Sequence, residues 1–166
     1  MTLRGAGIAG IVACVAALAW YLGSPLFIRT TLYEAVPTQA ALRIASSAPA
    51  AFASAAEPIT IASGGLGRVD ALHNGVGSVS LVRTGDSTIL RFEGVAITNA
   101  PDVHVYLSRA TGGRWTEATS VYLGPLKATN GSFNYAVPPD ADLASIRSVV
   151  VWCRQFSVLV TWADLN

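Results

Sequence analysis

Charge is scarce in this chain. Only 13% of its 166 residues are charged, the net charge is +1, and there is no block of lysine and arginine interleaved with aromatics. A nucleic-acid surface needs such a block, because phosphate contacts supply most of the affinity, so nucleic acid is excluded as a partner. Histidine is almost missing as well, and two residues do not build a histidine-rich metal cage. Cysteine is equally rare: Cys14 and Cys153 lie at opposite ends of the sequence and form neither CxxC nor CxxCH. That rules out a disulfide framework, a thioredoxin-like dithiol and covalently attached haem. No GxSxG, HExxH or phosphate-binding loop occurs. SGGLGR, residues 63–68, does not match GxGxxG, and no helical run follows it.

What is present begins with a long uncharged run. Residues 5–28, GAGIAGIVACVAALAWYLGSPLFI, carry no charged side chain. About 20 such residues in a helix match a bilayer core of roughly 30 Å. Trp20 and Tyr21 fall where amphipathic rings favour the interface, and Pro25 marks or bends the helix end. The expectation is a transmembrane signal-anchor over 5–28. It makes the lipid bilayer a partner and places a single-pass protein in the cell membrane, with its C-terminal domain on the extracytoplasmic side. A cleaved signal peptide and a buried core helix are the alternatives. In an oxidising space a lone Cys153 has to be buried, ligated or used.

Residues 29–56 are rich in Ala, Ser and Pro and read as a tether. From 57 to 166 the texture changes to short strands and turns. GSVSLVR alternates with period two, and TGDS at 84–87 is a turn. In TILRFEGVAI, Ile89, Arg91 and Glu93 share one face, while Leu90 and Phe92 share the other. DVHVYLSR places Val103, Val105 and Leu107 on one side and Asp102, His104 and Tyr106 on the opposite side. VYLGPL and SFNYAV are further strands, and SVVVWCRQFSVLVTW closes the region, with Phe156, Val158, Val160 and Trp162 expected on one face. The predicted fold is all-β: an antiparallel β-sandwich of about 8–10 short strands, preceded by one N-terminal transmembrane helix.

Two readings of Cys153 stand. Aligned with Val149 and Val151, it is a small hydrophobe in a strand. At a strand end beside the polar Arg154–Gln155 break, it is a reactive or ligating thiol. Asp102, His104 and Tyr106 also have two readings: a polar face over a solvated sheet, or a histidine backed by an acid that ligates a metal or moves protons. Thiolate plus imidazole from Cys153 and His104 suits copper, iron or zinc, although two ligands do not complete a tetrahedral site. His73, beside a turn, reads as plain surface.

The stretches GSVSLVRTGDSTILRFEGVAITNAPDVHVYLSRATGG and VYLGPLKATNGSFNYAVPPDADLASIRSVVVWCRQFSVLVTWADL resemble the DM-thirteen domain family, an electron-transfer-type module also found in Skeletor-like proteins. The resemblance covers about residues 62–165, and GSPLFI at the end of the apolar run is similar to membrane-anchored bacterial members. It implies a β-sandwich that takes part in electron transfer. Its redox cysteine corresponds to Cys153, acting through a haem or another prosthetic group, and its aspartate and histidine correspond to Asp102 and His104. Unlike the animal members, this chain is expected to stand alone, without a haem-binding partner domain in cis.

The combined expectation is a membrane-anchored extracytoplasmic domain with a redox role centred on Cys153. His104, Asp102 and Tyr106 would help hold a cofactor, haem or a transition metal, and a membrane or envelope redox protein would be its partner. Such a chain is an electron carrier or a binding module rather than a turnover enzyme. One alternative is a non-catalytic cell-envelope interaction or ligand-binding module with Cys153 in its core. Another is a small copper- or iron-binding protein that uses His104 and Cys153.

Overall fold

Period-two alternation in the C-terminal two thirds of the chain does fold into strands. The computed structural model describes residues 3–27, 29–37 and 57–166. The helix α1 (Leu3–Phe27) is followed by β1 (Thr31–Tyr33), β2 (Ile59–Gly65), β3 (Gly75–Thr84), β4 (Ser87–Ile97) and β5 (Val103–Ser108). Then come β6 (Val121–Pro125), β7 (Asn130–Ala136), β8 (Ser148–Cys153) and β9 (Val158–Asp164). They form a five-stranded sheet in the order β1-β7-β4-β3-β2 and a four-stranded sheet in the order β6-β5-β8-β9. All neighbours are antiparallel except β1 and β7, which run parallel.

The two sheets bury one core between them. Leu90 and Phe92 of β4 point into it, as their alternation requires, and Phe92 stacks on Phe133 of β7 with ring centroids 5.0 Å apart. Arg91, between them, faces outward to Glu93 and Asn134. The second sheet contributes Val103, Val105, Leu107, Val149 and Val151. Thr84 pairs with Ser87 across a two-residue turn, where Gly85 takes φ 61° at no steric cost. The sandwich is closed along one side. Ser63 and Asn166 exchange two backbone hydrogen bonds, and the Gly67 amide donates to the Trp162 carbonyl.

The last strand departs from simple alternation. Cys153 pairs with Val158, but Val151 pairs with Thr161 and Val150 with Trp162, so the register shifts between Val151 and Trp152. The extra residue, Val160, is buried in the core. Cross-strand partners share a face, so the shift sends Trp162 outward with Val150. The expected common face of Phe156, Val158, Val160 and Trp162 does not form, because a bulge resets the parity. Phe156 lies exposed in the turn.

The segment expected as a tether contributes its first residues to the fold; residues 38–56 lie outside the described residues. β1 lies along β7, with Leu32 opposite Gly131. At Gly131, φ is 111° and the Leu32 carbonyl occupies the space of a Cβ, so glycine is required there. Glu34, just past β1, accepts from the Asn134 amide at 2.7 Å and pairs with Lys127 at 3.0 Å. Burial pushes the Glu34 carboxyl up, but the Asn134 amide and the Lys127 ammonium outweigh this and hold it below the ordinary glutamate value.

The expected membrane anchor is corrected. Among the described residues no helix is long and apolar enough to cross a membrane. The described residues therefore do not support a transmembrane helix, the lipid bilayer as a partner, or a single-pass protein with an extracytoplasmic domain. The side chains of residues 5–9, 22 and 24–28, on which that expectation also drew, lie outside the described residues.

Gly131→Ala should release β1 from the sheet and cost about 1–3 kcal/mol, the usual cost of forcing a side chain into a left-handed conformation. Urea unfolding measures it, and an unchanged midpoint would show that β1 adds no stability. The Glu34 contribution has a definite sign. It is complete above the ordinary value of 4.5 and is lost as pH falls through the lower folded value. Glu34→Gln should therefore flatten the acid limb of the stability profile.

Candidate functional site

Pairing between β5 and β8 decides which side chains can meet. Val103 is opposite Cys153, His104 opposite Trp152, and Tyr106 opposite Val150. Val103 and Cys153 therefore face the core, while His104 and Trp152 face away from it. Cys153 is 0% exposed within the apolar cluster. The sheet itself separates the thiol from the imidazole. The expected copper, iron or zinc site on His104 and Cys153 is therefore not assembled, and among the described residues no group of three or more His, Cys, Asp or Glu side chains is placed to hold a metal ion. A redox role centred on a single cysteine is also corrected: the chain has two free cysteines, Cys14 exposed and Cys153 sealed.

Asp102, His104 and Tyr106 do come together on the outer face. His104 Nε2 lies 2.6 Å from Asp102 Oδ1, and its Nδ1 lies 2.8 Å from the Tyr122 hydroxyl. A carboxylate only accepts, so in the neutral ring Nε2–H donates to Asp102 and Nδ1 accepts from the Tyr122 O–H. With both nitrogens taken and the thiol enclosed, these residues do not fit a haem or a metal as ligands. Tyr106 is 1% exposed and is likewise closed to a cofactor.

The rest of the face is built from aromatics that the sequence scattered. A register shift between β5 and β6 pairs Val105 with Gly124 and Tyr106 with Tyr122, leaving Leu123 as the extra residue against the core. Tyr122 thereby joins Tyr106 outside, with ring centroids 5.2 Å apart. Trp115, from the β5–β6 connection, sits 4.4 Å from Tyr106 and 5.0 Å from Trp152. Arg154, in the β8–β9 turn, folds back over this group. Its Nε donates to the Tyr106 hydroxyl at 2.7 Å, and its guanidinium carbon lies 4.7 Å from the centre of the Tyr122 ring. Its backbone amide donates to the Asp102 carbonyl at 2.8 Å, which ties the turn to the start of β5. Ser157, at φ 51°, lets the turn close. Burial pushes the Tyr106 phenol up, and the Arg154 hydrogen bond pulls part of that back.

Tyr122, Trp115, Trp152 and Arg154 were not singled out as site residues from the sequence. Tyr122 carried a signal, since alternation in VYLGPL sets it opposite Val121 and Leu123. Trp115 carried none, because ATGGRW has no period. His73 stays at the surface, where its ring and the amides of its turn hold the Asp70 carboxyl down to about 2.

The family model described as Electron transfer DM13 matches residues 69–165. The chain belongs to this family. The membrane-anchored bacterial form expected with it is not supported by that match. No curated protein and no solved structure matches the chain.

Thiol labelling checks the placement of the cysteines. In the folded full-length chain Cys14 should react promptly with Ellman's reagent, and Cys153 only after unfolding. Cys153→Ser puts a hydroxyl into the dry core and should cost about 1–3 kcal/mol. Two promptly reacting thiols in the native protein would show that the core is open at Cys153.

Proposed function

We propose that the chain is a non-catalytic interaction module that docks a partner protein on the outer face of its second sheet. The observation that carries this is the cluster of Trp115, Tyr122, Trp152 and Arg154 outside the core. Tryptophan, tyrosine and arginine are the residue types that dominate interface energies, because each joins a large apolar area to a polar handle. Tyr122 is 43% exposed and Phe156, in the adjoining turn, 53% exposed, so part of this surface is open to contact. The Arg154 guanidinium is pre-ordered by Tyr106 and Glu117, which lowers the entropy lost when it is covered.

A pocket for a small ligand has less support. The groove of about 730 Å³ over the first sheet is lined by Thr60, Ser78, Ser80, Arg91 and Glu93, among others. The Arg91 guanidinium there is already taken up by Glu93, Glu34 and Asn134. A docking face agrees with the description of the family, since an electron-transfer module needs close approach to a partner more than a substrate cavity.

A photo-crosslinking side chain in place of Phe156, in cells of the source organism, should give one discrete protein adduct. The same probe in place of Thr60, on the first sheet, should give none. Tyr122→Ala should weaken the complex by about tenfold or more, as truncating a central interface aromatic does. Equal labelling from both positions, or none from Phe156, would overturn the docking assignment.

A further inference from the structure

We propose that Tyr122 is a one-electron redox site, oxidised with transfer of its phenolic proton to His104. The inference uses the same outer face as the docking reading, with the docked partner as the electron's destination. Its test needs no partner, so the two can fail separately.

The geometry singles out this phenol. Tyrosine is among the most easily oxidised side chains, but its cation radical is a strong acid and forms at reasonable cost only when a base takes the proton. With the His104 ring neutral and its Nε2–H held by Asp102 at 2.6 Å, the Tyr122 O–H donates to His104 Nδ1 across 2.8 Å. Among the described residues no other tyrosine hydroxyl has a base as its partner. The Tyr106 hydroxyl receives an N–H from Arg154, which cannot accept a proton, and the Tyr135 hydroxyl donates to the Pro125 carbonyl.

The step balances as follows. One electron leaves the Tyr122 ring for a high-valent metal centre presented by the partner, which is reduced by one unit. The O–H bond of Tyr122 breaks, and an N–H bond forms at His104 Nδ1. The products are a neutral tyrosyl radical and an imidazolium whose charge lies against the Asp102 carboxylate. The reverse step returns both particles. Arg154 reinforces the coupling: its guanidinium carbon, 4.7 Å from the Tyr122 ring centre, disfavours a positively charged ring and so favours loss of electron and proton together. Asp102 is a positioning residue, since it fixes the tautomer that leaves Nδ1 free to accept.

The same contacts give the oxidised state somewhere to go. Tyr106 lies 5.2 Å from Tyr122, Trp115 lies 4.4 Å from Tyr106, and Trp152 lies 5.0 Å from Trp115, all between ring centroids. These oxidisable rings form a continuous path across the face. Among the described residues the Tyr122 end of this path is the one shown with a proton acceptor, so the radical settles there.

The test is flash photo-oxidation of the full-length chain by ruthenium tris-bipyridine with persulfate, read by rapid-freeze electron paramagnetic resonance and by transient absorbance. The native protein should give a neutral tyrosyl signal whose formation slows in deuterium oxide. Tyr122→Phe, a change at a half-exposed edge position, should remove the signal. His104→Gln and Asp102→Asn should slow its formation, the first by about 10²-fold, as for loss of a general base. Should His104→Gln fail to fold, Asp102→Asn decides, because the Asp102 side chain is 47% exposed and packs little. A tyrosyl signal that persists in Tyr122→Phe would overturn the proposal, as would an unchanged rate in Asp102→Asn without a solvent isotope effect.

Discussion

Everything distinctive about this domain depends on the register between β5 and β8. With Val103 opposite Cys153 and His104 opposite Trp152, one side of the second sheet is given wholly to packing and the other to polar and aromatic contacts. A slip of one residue would exchange the faces, putting an imidazole into the core and a row of valines outside. The core side is unforgiving of that exchange: Val105, Leu107, Val149, Val151 and Cys153 are all fully enclosed. The apolar packing therefore fixes the register, and the register turns His104 outward, to the face on which Tyr122 lies.

Two bulges then adjust what strict alternation would have produced. The one between β5 and β6 keeps Leu123 in the core while aligning Tyr122 with Tyr106. The one between β8 and β9 buries Val160 and turns Trp162 outward. Both act on the same sheet and add aromatic surface to the same face. The first sheet has a different task. It is extended by β1, locked by Gly131 and Glu34, and its outer charges are spent on one another rather than offered to a ligand.

The result is a division of labour between thiol and phenol. Cys153, which family resemblance marked as the redox centre, is enclosed by apolar packing. The side chains able to exchange protons, Asp102, His104 and Tyr122, form a hydrogen-bonded line on the outer face, beneath an arginine and beside a row of rings. A docking surface and a proton-coupled tyrosine are compatible uses of that face, because short-range electron exchange requires the partner to lie against it.

The sequence by itself determined the all-β class, the shared face of Val103, Val105 and Leu107, that of Val149 and Val151, and the common face of Asp102, His104 and Tyr106. It could do so because the side-chain period of a strand is local and needs only neighbouring residues to be read. It also bounded the chemistry, since two histidines and two cysteines leave little room for a metal cage. It misled where a local pattern met a non-local event. The apolar run at 5–28 has the pattern of a span that the described residues do not support, and the start of the tether belongs to a strand whose partner lies about a hundred positions away, as in the Thr30–Thr129 contact at a separation of 99. Only the tertiary structure decided that His104 turns from Cys153 to Tyr122, 18 residues along the chain, and that Trp115 comes in from an irregular loop to join them. Periodicity tells which way a side chain points; bulges, turns and sheet closure decide what it meets there.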